Sequence, residues 1–252
     1  MFDCADVPTT QADPRADPRL DERHVRCLPG NDQAGTTLLV GVVHDHPASV
    51  FRVVRLIEAV APETLALELP PLAMALFRLY GRDRFVPPRL GGEMSAAIQA
   101  AGDASTVGID APNTTYLRLL VTGLLTDPPP LSVVGAVARD LLNGISHAAA
   151  CRLGAYVGAV TPVRPQLYSH IEYDCSLLDT PSTQASHEAS HLSQRQFFLR
   201  AIETPPAIER IDTAREASMV ERLRDLRAAG DVVAVVGTEH LDAVASGLGA
   251  DP

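Results

Sequence analysis

No lysine occurs among the 252 residues. All 21 basic side chains are arginine, set against 31 acidic ones, for a net charge of −10 at pH 7. Non-specific binding to nucleic acid depends on a basic footprint that this chain lacks, so nucleic acid is excluded as a partner. The acidic balance suits a protein kept soluble by its carboxylates, including in high salt, where screening relieves their mutual repulsion; the composition is in that sense halophile-like. Arginine-biased codon usage accounts for the missing lysine equally well.

Cysteine is scarce. Cys4, Cys27, Cys151 and Cys175 contain no CxxC pair and are too sparse for a disulfide framework in so long a chain, so a reduced, cytoplasmic setting is expected. No uninterrupted stretch approaches the roughly 20 apolar residues that a membrane span needs. The opening residues, MFDCADVPTTQADPRADPRLDERH, are acidic and proline-rich and lack the apolar segment of a signal peptide. A soluble protein with no membrane span is expected. Hydrophobic content of 46% and charged content of 21% are ordinary for a globular chain, and the length allows one large domain.

The organising stretch is Thr36 to Leu69. An apolar run, Leu38 to Val43, stops at His44-Asp45-His46. Pro47 then suits the first position of a helix whose apolar residues Val50, Val53, Val54, Ile57 and Val60 follow the 3/4 spacing of one face. Pro62 closes it, and a second run from Thr64 to Leu67 ends at Glu68. Strand, helix, strand is the unit of a parallel sheet, in which the carboxyl ends of neighbouring strands face one crevice. Further along, Ser105 to Ile109 reads as a third strand ending at Asp110. Asp231 to Val236 (VVAVV at its centre) reads as a last, interior strand followed by Gly237-Thr238-Glu239-His240.

The spacing thus predicts an α/β fold: a mainly parallel central sheet of about four or more strands with flanking helices, and a helical insertion at about 113–229 between the third and last strands. Within the insertion, Asn113 or Thr114 caps a helix. Residues 131–160 read as a buried helix or helical hairpin, 166–180 stay ambiguous between an extended segment and a loop, 183–203 form a helix with Leu192, Phe197, Phe198, Leu199 and Ile202 available to pack, and 212–229 form a longer one. Residues 1–34, poor in large apolar side chains, are expected to be a disordered or loosely packed acidic arm. Residues 35–252 are read as a single domain.

Three GxxH patterns occur, Gly41/His44, Gly144/His147 and Gly237/His240, where composition alone predicts roughly half an occurrence. The first and third end apolar strands and deliver a histidine to the crevice. The second lies in the small-residue helical region and reads as structural or surface. His44, His240 and Glu68 form a mixed nitrogen and oxygen set suited to zinc, manganese, cobalt or iron, although each histidine would also serve merely as a strand cap. His187-Glu188-Ala189-Ser190-His191 matches HExxH, which on a helix places two imidazoles on one face with a glutamate to activate water. Its flanks are polar, and a third ligand would have to be Glu203 or Glu209, so a solvated helix face competes with a zincin-type site. Arg215-Glu216 reads as an exposed pair beside the core residue Met219. Asp110 either orients a histidine or caps the next helix. Spacing does not rank Asp45, His46 or His170.

As a set, LLVGVVH (38–44), LALEL (65–69), GID (108–110), AREASM (214–219) and VVAVVGTEH (232–240) resemble the motifs of the TraB/PrgY family. That family is related to the Tiki metalloproteases and more remotely to the erythromycin-esterase and ChaN-like proteins. The resemblance spans about 36–248. It implies an α/β fold with two GxxH motifs and an essential glutamate, hence a metal site of His44, Glu68 and His240 with Arg215 reaching the same pocket. This chain departs in carrying Glu239 where a small residue precedes the second histidine, in Ala111 after GID where an arginine is often found, and in ending at Pro252 without the membrane helices of several relatives.

The function so implied is a metal-dependent hydrolase acting on a peptide or a small amide or ester. A divalent transition metal (zinc, manganese or cobalt) would be held by His44, His240 and Glu68, Glu68 or Glu239 would act as general base, and Arg215 would stabilise the oxyanion. The alternative is a non-catalytic regulatory protein that binds a peptide or small ligand in the same crevice; the zincin-type site at His187–His191 is a further one. Either form is compatible with a homo-oligomer.

Overall fold

A computed structural model describes residues 2–10, 13, 15–168, 170–201 and 204–249, without the side chains of 199–201. Five strands form one sheet: β1 (Val25–Leu28), β2 (Thr37–Val42), β3 (Thr64–Leu67), β4 (Ser105–Gly108) and β5 (Val232–Gly237), in the order β1-β2-β5-β3-β4. Only the β1–β2 pair is antiparallel. The last strand is therefore inserted between β2 and β3, with Val42 opposite Gly237 and Leu67 opposite Val235.

The alternation along these strands divides the core in two. Leu38, Val40 and Val42, Leu65 and Leu67, and Val233 and Val235 face one side, where they meet α1 (Pro47–Val60), α2 (Met74–Gly81) and α3 (Gly92–Ala101). Leu39, Ala66, Val232, Ala234 and Val236 face the other, against α7 (Pro206–Arg227) and α8 (Thr238–Gly249). β2 and β5 are buried along their whole length, which is why both read as unbroken apolar runs. The insertion between β4 and β5 is four helices: α4 (Thr114–Thr126), α5 (Leu131–Val160), α6 (Pro181–Ala201) and α7. Asn113 caps α4 by accepting from the Tyr116 amide.

Three expectations change. Residues 131–160 form one 30-residue helix, largely exposed: Val137, Ala148, Cys151, Gly154 and Ala155 are its buried positions. Its apolar residues spread over most of its circumference, so periodicity gave little sign of which face would be covered. The N-terminal segment, expected to be a loose arm, packs: Phe2, Val7, Leu20 and Val25 belong to the larger core cluster, and the Phe2 amide donates to Asp231 Oδ2 at 2.8 Å. A few well-placed side chains anchor it, together with a disulfide between Cys4 and Cys27 that the sparse cysteines did not announce. That bridge also bears on the expected reduced setting, because such bonds persist in oxidising surroundings. Cys151 and Cys175 are free and buried. The expected packing of Ile202 lies outside the described residues, as does the side chain of Leu199. No helix among the described residues is long and apolar enough to cross a membrane.

Candidate functional site

Because β5 sits between β2 and β3, the residues that follow β2, β5, β3 and β4 come to one edge of the sheet: His44, Glu239 and His240, Glu68, and Asp110. Glu68 is anchored on both oxygens. Its Oε1 accepts from Arg215 Nη2 at 2.8 Å and stands 3.6 Å from His240 Nε2, while Oε2 accepts from the Gly237 amide. A Cβ at Gly237 would come within 2.9 Å of Glu239 Oε2 and 3.3 Å of Glu68 Oε2, so the motif's glycine makes room for two carboxylates. Burial and the neighbouring charge of Asp110 raise the Glu68 carboxyl above its usual range, against the opposing pull of His240, Arg215 and the Gly237 amide.

Both histidines are held in the same way. His44 Nδ1 lies 2.7 Å from Glu93 Oε1, and His240 Nδ1 lies 2.9 Å from Glu216 Oε1. The other oxygen of Glu93 accepts from the Asp45 amide at 2.8 Å, and the Tyr173 hydroxyl donates to the His44 carbonyl at 2.8 Å. Burial opposes a charge on His44, yet the Glu93 hydrogen bond and the charges of Glu93, Glu68 and Glu239 raise it to about 9. Glu239 is pushed up by burial but held below the ordinary carboxylate range overall by a backbone hydrogen bond and by Arg195, 2.9 Å from its Oε1.

Arg215 reaches this edge with two of its three nitrogens hydrogen-bonded. Nε and Nη2 bind Asp110 at 2.9 and 2.8 Å, Nη2 also binds Glu68, and Nη1 is 3.6 Å from Asp212. Asp110 thus holds Arg215 and neither orients a histidine nor caps a helix. Glu216, read as Arg215's exposed partner, serves His240 instead; Met219 is fully buried, as expected. Beside Arg215 and Asp110 opens a cavity of about 390 Å³, lined also by Tyr116, Asp140, Ile211 and Asp212. His147, of the second GxxH, sits on α5 with Nε2 3.6 Å from Cys151 Sγ.

The HExxH segment lies on α6. Glu188 is buried and turned inward: its carboxylate pairs with Arg52, itself fully buried, and accepts from Ser49 Oγ at 2.6 Å. It is not free to activate water between His187 and His191. Glu209, one of the expected third ligands, is exposed on α7, and Glu203 lies outside the described residues. His187 pairs instead with His46, whose Nε2 is 3.0 Å from His187 Nδ1. Among the described residues, the group of three or more ligand side chains spaced to hold a metal ion is His46, Cys175 and His187, with ligand atoms within 4.8 Å of one another. His44, Glu68 and His240 do not close to that spacing.

Sequence reasoning named His44, Glu68, Glu239, His240 and Arg215, and the fold brings them to one edge. It missed Glu93 and Arg195, which carry no motif, and misjudged Glu216, which lay within the AREASM segment. Compared with protein-family models, curated proteins and solved structures, the chain has no match.

Proposed function

We propose that this protein is a hydrolase of peptide bonds or small amides and esters, with its reaction centre where β2, β5 and β3 end, working with a divalent metal of the zinc, manganese or cobalt type. The observation that supports this reading is the matched holding of His44 and His240: each gives Nδ1 to a glutamate, which leaves Nε2 as the nitrogen available for ligation. The donor set fits such a metal in kind, being two imidazoles and the carboxylate of Glu68. Six carboxylates (Glu68, Glu93, Glu216, Glu239, Asp110 and Asp212) face two arginines (Arg195 and Arg215) and the His44 ring, an imbalance that favours a bound cation.

When bound, the metal would supply carbonyl polarisation and a more acidic water. The chain's own residues divide the remaining work. Glu93 and Glu216 fix the two rings. Glu68, held on both oxygens by Arg215 and the Gly237 amide, would be the carboxylate ligand, which leaves Glu239 as the general base in this reading. Glu239 is kept ionised beside Arg195. Arg215 positions Glu68 through Nη2, and its Nη1, which makes no hydrogen bond among the described residues, would stabilise the oxyanion. The cavity beside Arg215 and Asp110 receives the flank of the substrate.

The test is metal analysis of the purified protein together with hydrolysis of a panel of peptide, amide and ester substrates. His44→Ala and His240→Ala are each expected to abolish turnover and remove metal from this edge while the circular dichroism spectrum stays unchanged. Turnover and metal retained in both variants would overturn the reading. Ligand affinity that survives chelation, with no product formed, would make the protein a binding module.

A further inference from the structure

His46, Cys175 and His187 come from three separate elements: the turn between β2 and α1, the connection before α6, and α6 itself. His46 is fully buried, Cys175 nearly so, and His187 half-buried. Two imidazoles and a thiol at mutual distances within 4.8 Å form a soft donor set. Cys175 also lines a cavity of about 410 Å³ with Asp45, His170 and Tyr173, which gives an ion a way in.

We infer that these three side chains form a second metal site, for zinc or a similarly thiophilic divalent ion, separate from the sheet-edge centre and independent of the reading given to it. The Ala48 amide donates to His46 Nδ1 at 3.1 Å, so the ring proton is on Nε2 and points at His187 Nδ1. On binding, Cys175 releases its thiol proton to solvent and His46 moves its proton to Nδ1. There Glu188 Oε1, 4.0 Å away, is the nearby carboxylate toward which a ligating imidazole turns its other N–H. The Ala48 cap bond is given up in exchange for three ligand bonds. With three protein ligands, one position is left for water.

The ion would tie α6 and the 166–180 connection to the turn that carries His44. Tyr173, two residues before Cys175, already holds the His44 carbonyl, and its ring packs 4.9 Å from that of His46. Because Glu188 is committed to Arg52, this site positions neighbouring elements and performs no hydrolysis.

The experiment uses the full chain, stripped with chelator and titrated with cobalt(II). One equivalent is expected to bind with a near-ultraviolet thiolate-to-cobalt charge-transfer band, which only a cysteine ligand produces. Cys175→Ser should remove the band and weaken zinc binding at this site by more than about 100-fold, beyond what losing an outer partner costs. His187→Asn should weaken binding likewise. Cys151→Ser and His44→Ala should leave the band intact. Absence of the band in the wild-type chain, or its survival in Cys175→Ser, overturns the inference. Failure of the sheet-edge reading is seen instead in the His44 and His240 variants, so the two results are distinguishable.

Discussion

Arg215 Nη2 donates to Glu68 Oε1 and to Asp110 Oδ2, each at 2.8 Å, so one guanidinium bridges the carboxylates that follow two adjacent strands. Removing it leaves both acids, mostly buried, facing one another. Arg215→Ala is expected to destabilise the fold by about 3 kcal/mol, as for other broken buried pairs. Arg215→Lys, which keeps the charge and loses the planar fork, should fall in between. Adding Glu68→Gln to Arg215→Ala should recover part of the loss. Urea midpoints measure all three, and an unchanged midpoint in Arg215→Ala would contradict the clamp.

Stability should be greatest near pH 6.5. Burial, with the charge of Arg52 next to it, lowers His24 to about 4, and burial lowers His46 to about 4 as well. Between pH 6.5 and 4 the unfolded chain therefore takes up protons that the folded chain refuses, and stability falls with acid. His44 is raised to about 9, so between pH 6.5 and 9 the folded chain keeps a proton that the unfolded chain has lost, and stability falls with alkali. Glu68 and Asp45, both raised, pull against the acid loss, so variants carry the test. In chelator-treated protein, His44→Gln should flatten the alkaline limb alone and His24→Gln part of the acid limb. Denaturation midpoints across this range decide it.

The Cys4–Cys27 bridge closes a separation of 23 residues. Loop-closure entropy for that length corresponds to about 3 kcal/mol. Reductant, or Cys4→Ser, should lower unfolding stability by that order and loosen Phe2 and Val7 from the core. Proteolysis within the first 25 residues would report the loosening, and resistance equal to that of the oxidised chain would argue against it.

Arg52 and Glu188 pair deep between α1 and α6, with Ser49 and His24 beside them. Glu188→Ala leaves a buried guanidinium uncompensated and should cost about 3–5 kcal/mol. The double change Arg52→Met with Glu188→Leu should cost much less, because neither charge remains to be desolvated. Equal losses in the single and double variants would show that packing volume, and not charge, governs this contact.

Much of the sheet was legible because its central strands are apolar from end to end and stop at conspicuous polar residues: Val43 before His44, Leu67 before Glu68. The histidines and Glu68 could be found for the same reason. What stayed hidden were contacts between elements far apart in sequence. Glu93 stands one residue into α3, where an acid is unremarkable, and only folding brings it to His44. The HExxH segment misled in the opposite direction, since its glutamate is spent on an arginine that sequence places on a helix face and the fold buries completely. α5, with apolar residues spread around most of its circumference, gave little periodic sign of how small a part of it would be covered.

The placement of β5 has a consequence for how the molecule is made. The chain emerges from the ribosome N-terminus first, and until residues 232–240 follow, β2 and β3 flank an empty slot with their hydrogen-bonding edges bare. Any copy stalled short of His240 therefore lacks both the keystone of its sheet and the second imidazole of its reaction centre.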